Sequence, residues 1–140
     1  MESGRYVRLR YGMISAKDAV AELLSRFDTG DIRLTEDDLA SWTDGAVVAE
    51  ECLYDEVAAE LARGYAERRY SFDFCDQAVN ALYAVAIGGQ MRTPQPPWPT
   101  LFGRVYDAFD AGEYHRHEDK SDDPVAEHTD KMIATIVSQL

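Results

Sequence analysis

From Ala19 to Leu140 the apolar residues of this chain return every three to four positions, in separate blocks. That period belongs to amphipathic helices and is incompatible with the two-residue alternation of strands. Ala19, Val20, Leu23, Leu24 and Phe27 form the first stripe, after Ser15, a favoured N-cap with Asp18 three residues on. Thr35, with Asp38 at the capping-box position, opens a short helix that carries Leu39 and Trp42. A longer helix is expected over 46–69. Its Val47, Leu53, Tyr54, Val57, Ala58, Leu61 and Tyr65 fall within about 140° of one another on a helical wheel. Gly64 is expected to bend or end it early.

Ser71 opens the next helix, expected over 72–87, with Asp73 in the first turn. Cys75, Ala78, Val79, Leu82, Tyr83 and Ala86 make its stripe, and every residue from Ala81 to Ile87 is apolar. This helix reads as the central one, ended by Gly88-Gly89. Pro94, Pro96, Pro97 and Pro99 make 88–100 an extended loop, pinned by Trp98. A polyproline ligand is the other reading of that segment. Thr100 is expected to cap a helix over 101–111 that carries Leu101, Phe102, Val105, Tyr106 and Phe109. After the polar run 113–123, Asp123-Pro124 starts the last helix, with Val125, Thr129, Met132, Ile133, Ile136, Val137 and Leu140 on one face.

The expectation is an all-α fold: a compact bundle of five main helices plus one short helix, in a single acidic domain over 13–140. Residues 1–12 alternate (Tyr6, Arg8, Arg10 against Val7, Leu9, Tyr11) and read as a short strand or an extension. No apolar stretch follows the N-terminal arginines, so no secretory signal is expected. No run is long and apolar enough for a membrane span. Cys52 and Cys75 sit in helical patterns and read as thiols of a reducing, cytoplasmic compartment.

Charge narrows the partners. The formal net charge is −12 over 140 residues; residues 1–12 hold +2 of it and 13–140 hold −14. Nucleic acid is a poor partner for such a chain. A basic protein is a good one. The polar residues of helix 72–87, Asp73, Asp76, Gln77 and Asn80, occupy about 100° of arc on an otherwise apolar helix. They read as a recognition strip, with the amides supplying directional bonds and the carboxylates attracting a cation. Glu56 and Glu60 on the preceding helix read as a second acidic surface beside it. Tyr54, Tyr65, Tyr70 and Tyr114 are the candidate aromatic anchors at its rim.

No motif for catalysis is present: there is no nucleophile elbow, no glycine-rich phosphate loop and no paired Cys motif. The most metal-like group is His115 and His117, with His128 as a third ligand from the last helix. A divalent transition metal would be its cofactor. Small acidic helical proteins without catalytic motifs are similar in type, though not in motif, to toxin-neutralising immunity proteins. The leading expectation is a non-catalytic protein that binds and masks a basic protein surface. A metal-binding protein or metal-dependent enzyme built on the histidines, and a self-associating helical scaffold, are the alternatives. Monomer and homodimer both stay open.

Overall fold

Local chemistry sets each helix start. In the computed structural model, which describes residues 12–140, α1 (Ala16–Thr29) begins where the Ser15 hydroxyl accepts the Asp18 N–H at 3.1 Å. It stops at Gly30, whose φ of 90° is the left-handed conformation that terminates helices. The short α2 (Glu36–Trp42) starts with a reciprocal capping box between Thr35 and Asp38. A single 3-10 turn, Val47–Ala49, leads into α3 (Glu50–Ala66). Ser71 caps α4 (Phe72–Gly89) through the Phe74 N–H. α5 runs over Thr100–Asp110. Pro124 and a wide π-helical turn, Val125–Thr129, feed α6 (Asp130–Ser138).

The fold is an all-α bundle, and among the described residues there is no β-strand. The strand read at 1–12 lies outside the described residues, except for Gly12. No described helix is long and apolar enough to cross a membrane.

The hub is α3 and not α4. α3 packs against α1, α4, α5 and α6, whereas α4 packs against α1, α3 and α5. The apolar run of α4 outlasts its neighbours, so Ala84 and Ile87 stay exposed. Gly88 and Gly89 do not end α4; both lie in its last turn, with Gln90 as the C-cap.

Gly64 does not end α3 either. It sits two residues inside the helix end, and a Cβ there would overlap the Tyr70 ring. The glycine therefore provides the close approach by which the 67–71 turn folds over α3. Thr100 is the first helical residue of α5 and caps nothing. Its N-terminus is capped instead by Asp55 of α3, which accepts the Phe102 N–H at 2.9 Å. Asp123 behaves as expected, accepting the Ala126 N–H while Glu127 accepts the Asp123 N–H.

Aromatic rings tie the layers together. Phe27, Tyr70 and Phe74 pack edge to face between α1 and α4. Tyr65 and Phe72 meet Phe109 of α5. Trp98 pins the proline loop against Tyr83 and Phe102. The last helix is keyed to α5 by the fully buried Thr129, whose hydroxyl donates to the Ala108 carbonyl at 2.7 Å. Both cysteines are free thiols; Cys75 is buried, which pushes its pKa up to about 12, and Cys52 is half-buried.

Candidate partner-binding face

Among the described residues, Arg26, Arg33, Arg69 and Arg92 pair with acids of the bundle. Arg26 grips Asp38 through two nitrogens, at 2.8 and 3.0 Å, and Glu22 at 3.0 Å. Arg33 holds Asp31, Arg69 holds Glu60 and Glu67, and Arg92 holds Glu50 with Glu36 nearby. These pairings raise the arginine pKa values and hold Asp31 and Asp38 below the usual carboxylate range.

One face lacks such pairing. On the N-terminal half of α4, Asp73, Gln77 and Asn80 are exposed and Asp76 is half-buried. The end of α5 and the following turn bring Asp110 and Glu113 against them. The Asn80 amide donates to Glu113 Oε2 at 3.0 Å and lies 3.4 Å from Asp76 Oδ1. One amide thus bridges both carboxylates. Gln77 donates to Asp73 Oδ1 at 3.2 Å. Among the described residues no lysine or arginine pairs with Asp73, Asp76, Asp110 or Glu113. Partial burial and the hydrogen-bonded Glu113 carboxylate, with Asp110 and Asp73 close by, push the Asp76 pKa up to about 8. Near neutral pH the Asp76 carboxyl therefore keeps its proton.

Tyr83 lies one turn beyond Asn80 and stacks on Tyr106 of α5, with centroids 4.1 Å apart. Its ring continues the strip, and Asp110 and Glu113 raise the pKa of Tyr106 after burial. Beside Glu113, Tyr114 is 54% exposed, with the Arg116 guanidinium 4.0 Å over its ring.

Of the six partner-binding residues expected from sequence, the structure brings four together: Asp73, Asp76, Gln77 and Asn80. The other two belong elsewhere. Glu60 is only 7% exposed; it accepts from Arg69 at 3.0 Å and from the Tyr70 hydroxyl at 2.8 Å. It is an internal anchor of the 67–71 turn and not a surface acid. Glu56 is half-buried, accepts from the Cys52 thiol, and lies in a cleft with Ser15, Lys17 and Arg63. Of the candidate tyrosines, only Tyr114 is exposed. Tyr54 is buried, Tyr65 hydrogen-bonds Asp130, and Tyr70 lies over Gly64.

Asp110, Glu113 and the Tyr83–Tyr106 pair were missed in the sequence. Asp76, Asn80 and Tyr83 recur at i, i+4 and i+7, as do Tyr106, Asp110 and Glu113, so matching the two patterns was the available signal.

His115 serves a different structure, while His117 is exposed and His128 lies half-buried on the π-helical turn. His115 Nδ1 meets Asp122 at 3.1 Å, and the Asp122 carboxylate accepts the Arg116 N–H at 2.7 Å. That N–H and His115 hold the Asp122 pKa down to about 2. Asp122 thus organises the polar 113–123 segment. Among the described residues no three His, Cys, Asp or Glu side chains are grouped so as to hold a metal ion. Comparisons with protein-family models, with curated proteins and with solved structures find no match to this chain.

Proposed function

We propose that this protein is a non-catalytic interaction protein that binds and masks a basic surface of another protein, in the manner of an inhibitor or immunity protein. The observation that carries this reading is the set of unneutralised acids on the α4–α5 face. Elsewhere in the bundle Asp38, Glu60 and Glu50 are each held by an arginine. Here Asp76 and Glu113 lie side by side with no cation paired to either among the described residues. An arginine or lysine from a partner would favour the ionised form of Asp76 and displace its proton, so the pair is a site ready to receive a cation. Asn80 and Gln77 offer directional contacts beside the acids, and Tyr114 is an exposed aromatic suited to anchoring. The net charge of −14 over residues 13–140 steers a cationic partner from a distance. Two free thiols suit a reducing, cytoplasmic setting.

The test is affinity capture from the native host at low and moderate salt, with the wild type and the double variant Asp110→Lys/Glu113→Lys compared by mass spectrometry. The expected result is one basic protein that elutes with moderate salt and is lost from the variant. Equal capture by both proteins, or a captured set without a basic member, would overturn the reading.

A further inference from the structure

At the other end of α4 the fold encloses a second feature, unrelated to the acidic face. The proline loop folds back over the start of α3 and leaves a cavity of about 420 Å³. Val47, Val48, Ala86, Pro94, Pro96 and Pro97 supply apolar walls. Tyr54 forms part of the floor and is only 4% exposed. Its hydroxyl has no hydrogen-bond partner among the described residues, although every polar side-chain atom sealed from solvent in this fold has one. The hydroxyl is therefore the part of Tyr54 that reaches the cavity. Burial pushes its pKa up, so it stays a phenol and a hydrogen-bond donor.

Arg92, Glu50, Gln90 and Gln95 of the lining are already committed, whereas the Glu51 carboxylate and the Thr93 hydroxyl stand at the exposed rim. Arg92 Nη1 donates to Glu50 at 2.9 Å and its Nη2 lies 3.7 Å from Glu36. Gln90 donates to the Pro96 carbonyl and Gln95 to the Gln90 carbonyl, which holds the loop in place. Among the described residues lining the cavity, no unpaired cation remains to hold an anionic ligand. Rigid proline walls and one buried, unused donor suit a flat body with one acceptor oxygen, the exposed Glu51 carboxylate disfavours an anion, and the volume lies in the range of small-molecule sites.

We propose that this cavity binds a neutral ring compound of one or two fused rings whose carbonyl or ether oxygen accepts the Tyr54 hydroxyl. Prodan, a neutral naphthalene ketone whose emission shifts to the blue in apolar surroundings, is the probe. The full chain titrated with Prodan should show saturable binding at one site, with Kd below about 100 μM. Tyr54→Phe removes only the donor and should weaken binding about five- to tenfold while leaving the melting curve in place. Val47→Trp, at a rim position that is 55% exposed and outside the core, should block the mouth and abolish binding. Unsaturable binding, or equal affinity in all three proteins, would overturn the proposal. So would loss of Prodan binding as protein concentration rises, because a second copy of the chain would then be the occupant.

Discussion

Asp76→Asn should make this protein more stable, although it removes a charged side chain from a helix. In the folded protein Asp76 holds its proton to about pH 8, against an ordinary aspartate value of 3.8. The unfolded chain releases that proton near pH 4. Between these values the folded state binds a proton that the unfolded state does not, so raising the pH favours unfolding. The stability linked to Asp76 is fully present below about pH 4 and is lost by about pH 8. For a fully desolvated group a rise of this size corresponds to about 6 kcal/mol. Asp76 is half-buried and Glu113 is exposed, so solvent screens the repulsion and about 1–2 kcal/mol remains. Asparagine cannot ionise, yet its amide can donate to Glu113 as the protonated acid does. Urea unfolding followed by circular dichroism at pH 5 and at pH 8.5 reads both terms. The variant should match the wild type within about 0.5 kcal/mol at pH 5 and exceed it by about 1–2 kcal/mol at pH 8.5. A variant that is less stable at pH 8.5, or a difference independent of pH, would refute the reasoning.

The buried contacts give further expectations. Gly64→Ala improves intrinsic helix propensity by about 1 kcal/mol, but its Cβ would overlap the Tyr70 ring, so a net loss of about 2 kcal/mol is expected in thermal or urea unfolding; a gain would mean that Tyr70 does not lie over the helix. Glu60→Ala leaves the Tyr70 hydroxyl and Arg69 without their shared acceptor and should cost about 2 kcal/mol of stability; a neutral result in urea would return Glu60 to the surface. Asp122→Asn should speed amide exchange at Arg116, whose N–H it accepts, and leave exchange in α3 unchanged; uniform exchange across the chain would contradict a local role.

Features that depend on three or four neighbouring residues were legible in the sequence. Ser15, Thr35, Ser71 and Asp123-Pro124 mark helix starts because each cap binds an N–H two or three residues ahead. The strip Asp73, Asp76, Gln77 and Asn80 was legible because helical geometry alone aligns it. Contacts between distant residues were not. Asp55 caps α5 from α3, and in a chain this acidic nothing distinguished it from its neighbours. Glu60 followed the pattern of a wet face, but the 67–71 turn covers it with Arg69 and Tyr70. Hydrophobicity pointed to α4 as the centre; the number of helices each face must cover put α3 there. Gly64 read as a helix stop because sequence shows its cost and not the ring it accommodates.

The account rests on an Asp76 carboxyl that keeps its proton because it is partly buried beside Glu113, with no cation paired to it among the described residues. Carbon-detected NMR of the side-chain carboxyls, titrated from pH 3 to pH 10, measures this directly in the full protein. Asp76 should titrate near pH 8, and Glu113→Gln should move it toward the ordinary aspartate range. If Asp76 titrates below about pH 5 in the wild type, it holds no proton for a basic partner to displace, and the central claim fails.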